Sequence, residues 1–216
     1  MANIMYVDNI RVEFDQEATV LDVCRKAGVE VPNFCFHSDL SVYGACRMCM
    51  VENLDTGEIS AACTTKPKNG LRIRTNSARL LKYRRMILEL MLSAHCRDCT
   101  ACEKNRSCRL QEMAVRFGIH HVHFQDTREH IPQDQSSPAV QMDYNKCILC
   151  GDCVRVCKEV QGMGILHFAG RGPGLRIEAG DDQQLASTHC VSCGQCAAVC
   201  TTGAITVKNQ IGQAWR

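Results

Sequence analysis

Cys147-Ile-Leu-Cys150-Gly-Asp-Cys153-Val-Arg-Val-Cys157 and Cys190-Val-Ser-Cys193-Gly-Gln-Cys196-Ala-Ala-Val-Cys200 are two copies of one pattern, C-x2-C-x2-C-x3-C. Each copy is followed by a short β-prone run, Ile165–Phe168 and Ala204–Val207, so one supersecondary unit is repeated in a pseudo-symmetric module. The chain has 216 residues and 17 cysteines, against one Trp, four Tyr and six Phe. An aromatic-poor chain of this kind needs more than hydrophobic burial to hold it, and cysteine is the obvious supplement. The N-terminus shows no charged stretch leading into an apolar one, so no export signal is legible. Thiols at this density then point to a reducing, cytoplasmic setting, where structural disulfides are rare; an odd count cannot all pair within one chain. The net charge of +2 gives no basic field for nucleic acid. The longest apolar run, Met86–Ala94, is broken by Glu89 and falls far short of a membrane span.

Three thiolates at x2 spacing wrap one face of an iron–sulfur cube, because a tight loop turns successive side chains around one centre. The fourth cysteine lies where the chain has entered a helix, and in two-cluster ferredoxins it ligates the other cluster. The spacing therefore predicts one [4Fe–4S] cluster on Cys147, Cys150, Cys153 and Cys200, and another on Cys190, Cys193, Cys196 and Cys157. Such patterns usually end in Cys-Pro, whereas Lys158 and Thr201 stand here.

A second set, Cys35-x10-Cys46-x2-Cys49-x13-Cys63, keeps the C-x2-C pair and distant fourth cysteine of plant-type [2Fe–2S] sites, with a longer first interval. Gly44 and Ala45 would let backbone N–H groups approach the inorganic sulfides. A third set, His95-x3-Cys99-x2-Cys102-x5-Cys108, suits structural zinc or a [4Fe–4S] cluster with one imidazole ligand, whose neutral donor would raise the potential. Beside three iron–sulfur motifs the cluster is preferred, with His95 rather than the adjacent Cys96 as ligand. A multi-zinc binding scaffold is the rival reading. Cys24, on an apolar helical stripe, is expected to be a small core residue. Arg47 is expected to tune a nearby potential, while most of Arg97, Lys104, Arg109, Lys146, Arg155 and Lys158 are read as solvated surface charges.

The organisation expected is α+β in three blocks. Residues 1–76 form a β-grasp, ferredoxin-like [2Fe–2S] domain. Its strands are Ile4–Val7 and Ile10–Phe14, joined by an Asp8-Asn9 turn, then Met50–Asn53, Ile59–Ala62 and Leu71–Arg74. One helix, capped by Thr19 and ending at Gly28, crosses them. Residues 77–138 form a small helical domain holding the one-histidine cluster. Its first helix runs from Ser77 to about Ala94 with Leu80, Leu81, Ile87, Leu88, Met91 and Leu92 as apolar stripe. A second covers Leu110–Phe117, and polar Gln125–Pro138 reads as a linker. Residues 139–216 form the two-cluster ferredoxin-like domain.

Further text sharpens this order of motifs: Val42-Tyr-Gly-Ala-Cys46-Arg-Met-Cys49, Cys102-Glu-Lys-Asn-Arg-Ser-Cys108-Arg-Leu-Gln, and Cys157-Lys-Glu-Val-Gln-Gly with Gly170-Arg-Gly. Across nearly the whole chain it resembles the N-terminal iron–sulfur region of [FeFe]-hydrogenases and NAD-linked formate dehydrogenases. It is also similar to the start of the large iron–sulfur subunit of complex I, and to the small iron–sulfur diaphorase subunit of NAD-linked [NiFe]-hydrogenases. The resemblance implies a cytoplasmic electron-transfer subunit of a multi-subunit NAD(H)-linked hydrogenase, with one [2Fe–2S] and three [4Fe–4S] clusters. Single electrons would pass between a flavin-containing NADH-oxidising subunit, on the [2Fe–2S] side, and a hydrogenase or formate dehydrogenase catalytic subunit. Soluble ferredoxin is a further candidate partner and electron bifurcation a candidate mode. No GxGxxG loop and no acid–base or nucleophile constellation stands apart from the ligands, so no catalytic residue is assigned. A chain complete at this length implies a separate, [NiFe]-type catalytic subunit; an N-terminal fragment implies an [FeFe]-hydrogenase or formate dehydrogenase.

Overall fold

The computed structural model describes residues 3–126, 128, 130–180, 184–209 and 211. Met1 and Ala2 (read for an export signal), Thr127 and Glu129 of the linker, and parts of the 139–216 block lie outside the described residues.

The first strands, β1 (Asn3–Val7) and β2 (Ile10–Phe14), pair antiparallel with Val7 opposite Ile10. Asp8 and Asn9 have φ of 49° and 71°, the left-handed pair that matches a two-residue turn to the strands' twist. Met5, Val7, Val12 and Phe14 alternate onto the buried face. Helix α1 (Val20–Lys26) crosses that face, started by a capping box in which Thr19 and Asp22 satisfy each other's backbone N–H groups. Strands β3 (Met50–Asn53), β4 (Ile59–Ala61) and β5 (Arg72–Arg74) complete a sheet of order β2-β1-β5-β3-β4, in which only β1–β5 is parallel. Cys24 is fully buried in the core beneath α1, as its place on the stripe predicts.

Helix α2 (Ala78–Ser93) begins at Ser77, whose hydroxyl accepts the Leu80 N–H at 3.2 Å. Helix α3 (Arg109–Arg116) begins at Cys108. Leu80 and Leu88 are buried as expected, but Leu81 is 39% exposed and the residue buried between them is Arg84. The inward face is therefore the i, i+4, i+8 row 80-84-88, and Leu81 sits one position round from it. Arg84 is tolerated there because its Nε and Nη2 donate to the Met48 and Met50 carbonyls at 3.1 and 2.8 Å. Burial nonetheless draws its pKa down to about 10.

The cysteine repeat folds as two strand–helix–strand units. The first is β6 (Val140–Met142), α4 (Asp152–Arg155, widening into a π-helical stretch, Val156–Val160) and β7 (Leu166–Ala169). The second is β8 (Arg176–Ala179), α5 (Gln195–Val199) and β9 (Ile205–Val207). Outer strands pair with each other, β6 with β9, and inner with inner, β7 with β8. The runs expected to be β are β7 and β9; their partners β6 and β8 carried no signal. The described residues of 125–138 form no helix or strand, yet they are fastened to these units. Asp134 exchanges backbone hydrogen bonds with Met142 at 2.9 Å and accepts the Leu185 N–H at 2.7 Å; Asn145 donates to the Ile131 carbonyl at 2.7 Å. The fold is α+β, and among the described residues no helix is long and apolar enough to cross a membrane.

Candidate metal centres

Cys35, Cys46, Cys49 and Cys63 are all buried, three on the long loop between α1 and β3 and one just after β4. The Cys46 N–H donates to Cys35 Sγ at 3.3 Å, the Phe34 N–H to Cys46 Sγ at 3.4 Å, and Cys49 Sγ lies 3.3 Å from Cys63 Sγ. Gly44 (φ 71°) lets the loop press on β4's end, because a Cβ there would stand 2.7 Å from Thr64 Cγ2. Hydrogen bonds from Cys35 and Cys63 draw the Cys46 and Cys49 thiols down to about 7, and push Cys35 and Cys63 upward. Arg47, adjoining this set, is exposed with φ 57°.

The loop from α2 to α3 carries the second set. Burial raises Cys99 and Cys108 first; Cys108 and Cys102 then raise Cys99, and Cys102 raises Cys108, so these three thiols share one field. His95 is 8% exposed; its Nδ1 faces the Arg97 N–H at 3.2 Å, and its Nε2 is buried without a partner. Burial, reinforced by Arg128 and Lys146, lowers its pKa to about 4, which keeps the ring neutral. A buried neutral imidazole with no protein partner at Nε2 fits a metal ligand in the tautomer that carries the ring proton on Nδ1, which gives up the Arg97 contact. Cys96 is exposed, its N–H held by the Asn145 carbonyl at 3.1 Å.

The repeat makes two cavities. Cys147, Cys150, Cys153 and Cys200 line one, with Met142, Ile148, Ile177 and Ile205. Cys157, Cys190, Cys193 and Cys196 line the other, with Val140, Ile165, Leu166 and Leu185. The fourth cysteine of each copy thus stands with the other copy's triplet. Leu149 and Ser192, at φ 57° and 56°, and Gly151 and Gly194, at 79° and 74°, turn the two loops identically before their helices. Burial raises Cys147 to about 11, Cys150 to about 12 and Cys196 to about 11, and holds Cys153 well above the ordinary range. Among the described residues no three His, Cys, Asp or Glu side chains converge on a single ion. In the repeat the sulfurs ring apolar volumes instead, as the donor set and shape of a multinuclear cluster require.

The sets adjoin one another. Cys35, Cys46 and Cys150 share one buried apolar cluster with Phe34, Met48, Leu88, Leu110 and Met113, and Cys108 packs against it. Cys46 and Cys147 line a common groove with Met91 and Ile148. A Cβ on Gly203 would lie 2.5 Å from Cys102 Sγ, so the His95 loop packs directly on the segment between Cys200 and β9. Two residues read as surface charges are otherwise placed: Lys146 pairs with Asp143 at 2.8 Å, and Arg155 is buried. Neither Arg84 nor Gly203 was singled out by the sequence; a Gly directly after Cys200-Thr-Thr was the only available sign of the second.

Three families match successive parts of the chain. Residues 4–78 match a 2Fe-2S iron-sulfur cluster binding domain. Residues 84–123 match the NADH-ubiquinone oxidoreductase-G iron-sulfur binding region. Residues 137–206 match the ferredoxin-like domain of NADH-quinone oxidoreductase subunit 3. Among curated relatives, the mitochondrial NADH dehydrogenase [ubiquinone] iron-sulfur protein 1 of Solanum tuberosum is 33% identical over 204 residues, 94% of this chain and 27% of the relative. The NADH-ubiquinone oxidoreductase 75 kDa subunit of Reclinomonas americana is 32% identical, over 96% of this chain and 30% of its own length. The chain thus spans less than a third of these relatives. A chain in a crystal structure of NAD+-reducing [NiFe]-hydrogenase in the H2-reduced state superposes with a TM-score of 0.89 at 32% identity, covering 96% of this chain and 88% of that one. The chain belongs to the family of iron–sulfur subunits shared by NADH-quinone oxidoreductases, whose 75 kDa subunit is a member, and NAD+-reducing [NiFe]-hydrogenases.

Proposed function

We propose that this chain is a four-centre electron relay in an NAD(H)-linked hydrogenase complex. The observation that carries the reading is the pair of cysteine-lined cavities with exchanged fourth cysteines. Cys35, Cys46, Cys49 and Cys63 would hold a [2Fe–2S] cluster. Three [4Fe–4S] clusters would take His95, Cys99, Cys102 and Cys108; Cys147, Cys150, Cys153 and Cys200; and Cys190, Cys193, Cys196 and Cys157. When bound, such clusters supply reversible one-electron chemistry at potentials set by ligands, hydrogen bonds and burial. The chain's own residues do the rest. Phe34, Met48, Leu88, Leu110 and Met113 exclude water from the space between three of the sites. Backbone N–H groups of Phe34, Cys46 and Leu149 donate to ligand sulfurs and stabilise their anionic form.

In this reading residues 1–76, 77–138 and 139–216 are the three cluster-bearing domains of a cytoplasmic subunit. One partner is a flavin-containing NADH-oxidising subunit near the [2Fe–2S] block; the other is a [NiFe]-hydrogenase catalytic subunit. The hydrogenase chain it covers at 88% favours this assignment. The fraction of the curated relatives that it spans favours a second reading, a segment of a longer polypeptide. The mass of the native chain decides between them, because a value well above 24.0 kDa rejects the separate subunit. Metal analysis of anaerobically purified protein tests the relay itself. About fourteen irons per chain and a brown colour are expected; a colourless zinc protein would overturn it. His95→Ala should alter one [4Fe–4S] signal in low-temperature EPR and spare the others, and four unchanged spectra would reject His95 as ligand.

A further inference from the structure

Between Cys153 and Cys157 the chain carries a charged side chain that is no ligand and is nevertheless buried: Arg155 is 7% exposed. Its Nη2 donates to the Cys35 carbonyl at 2.8 Å and pairs with the Asp152 carboxylate, and its Nη1 donates to the Ser41 carbonyl. These carbonyls belong to the cysteine-bearing loop of the first block, more than a hundred residues away in sequence. The guanidinium carbon lies 5.6 Å from the centre of the Tyr43 ring. One helical turn on, Glu159 accepts the Ser41 N–H at 2.8 Å and the Ser41 hydroxyl at 2.5 Å. Tyr43 in turn stacks on Phe168 of β7 with ring centres 5.9 Å apart. Gly151 makes room for this, since a Cβ there would come within 3.1 Å of both rings.

A buried guanidinium is costly unless its donors are met. Here the two Nη groups meet two carbonyls of the same loop together with a carboxylate of its own helix, a geometry an ammonium cannot copy, while Nε is buried without a partner. We propose that Arg155 is the positioning residue that sets the Cys35–Cys46 loop against the cavity of Cys147, Cys150, Cys153 and Cys200, with Glu159 and Tyr43 holding the loop's outer edge. The fork fixes the separation of those two centres and brings a permanent positive charge to the peptide of Cys35, which favours the reduced state there. The inference rests on the reading of Cys35 as a [2Fe–2S] ligand.

The test uses the full chain, purified anaerobically with its clusters, and the variants R155Q, R155K and E159A. Deuterium exchange of peptides covering residues 34–46 reports the loop, and an EPR-monitored redox titration reports the [2Fe–2S] potential. R155Q should speed exchange on the order of 10-fold or more and move the potential to more negative values. R155K should return the potential towards wild type while exchange stays fast, because the charge is restored and the fork is not. E159A, at an exposed site, should speed exchange around Ser41 and leave the potential alone. Wild-type exchange and potential in R155Q would overturn the proposal; if R155Q fails to load, wild-type exchange in both R155K and E159A overturns it. A wild-type protein lacking any [2Fe–2S] signal would overturn the ligand reading instead, while the exchange measurements still judge the clasp.

Discussion

Gly203→Ala asks whether the His95 loop and the segment between Cys200 and β9 are packed face to face. A Cβ built on Gly203 falls 2.5 Å from Cys102 Sγ, 3.5 Å from Lys146 Cδ and 3.7 Å from Lys104 Cβ. Non-bonded heavy atoms rest about 3.5–4 Å apart, so the sulfur must retreat by about 1 Å or more, or the backbone must give. Overpacking of this kind costs about 1–3 kcal/mol. Against it, Gly203 is not in the left-handed region, so alanine is allowed there and its restricted unfolded chain returns about 0.4–1 kcal/mol. Gly174→Ala supplies the control, having nothing within 4 Å of its Cβ and no left-handed φ; it should gain that entropy term alone. The two variants should therefore differ by about 1–3 kcal/mol, at about 2–4 °C in Tm per kcal/mol for a chain of this size. Thermal melts of the anaerobic proteins, run beside low-temperature EPR, give both readouts. Gly203→Ala should melt lower and shift the signal of the centre holding Cys102, with the [2Fe–2S] signal intact. If it melts with Gly174→Ala and every spectrum is unchanged, Cys102 does not lean on Gly203 and the proposed adjacency of the two sites is wrong.

Two further outcomes are expected. Arg84→Met strips the Met48 and Met50 carbonyls of both charged donors, a loss of about 3 kcal/mol at about 1.5 kcal/mol per bond; an unchanged melting temperature would show that those carbonyls find other partners. Filling the Cys147, Cys150 and Cys153 site must displace protons from thiols that burial holds at about 11, about 12 and higher. Its apparent affinity should fall up to about tenfold per pH unit for each proton displaced. The [2Fe–2S] site carries the same burden, since Cys46 and Cys49 are drawn down to about 7 by hydrogen bonds that push Cys35 and Cys63 upward. In vitro reconstitution across about pH 6.5–8.5 should therefore go further towards completion as pH rises for every cluster signal, and yields that stay flat over that range would refute the reasoning.

The grouping of the repeat's cysteines was legible because chain spacing limits which sulfurs a tight loop can gather, and the two-cluster ferredoxin pattern pointed each fourth cysteine to the other triplet, beside which it lines a cavity. Capping and turn chemistry located α1, α2 and the first hairpin almost to the residue, since Thr19, Ser77 and Asp8-Asn9 act within their own neighbourhoods. What stayed hidden depends on partners distant in sequence. Strands β6 and β8 are too short to show a period, and each exists because another strand completes it. Arg84 interrupts an apolar row, and only the carbonyls of β3 and its approach explain it. The polar composition of residues 125–138 reported the absence of regular elements there, but could not report the contacts of Asp134 and Asn145 that hold the strap down. Arg155 looked like any helix-surface charge until the Cys35 loop was folded over it.

The apolar cluster beneath Phe34 and Met48 has a bearing on how such chains are inherited. Both side chains are fully buried, and their cover comes from Leu88, Leu110, Met113 and Cys150 of later segments rather than from their own sheet. Grafted elsewhere without those segments, the first seventy-odd residues would leave two large apolar side chains in water, at about 1.5–3 kcal/mol each. Recombination that swaps one piece for a foreign counterpart therefore spoils a wall common to three sites, and compensating changes must arise in all of them together.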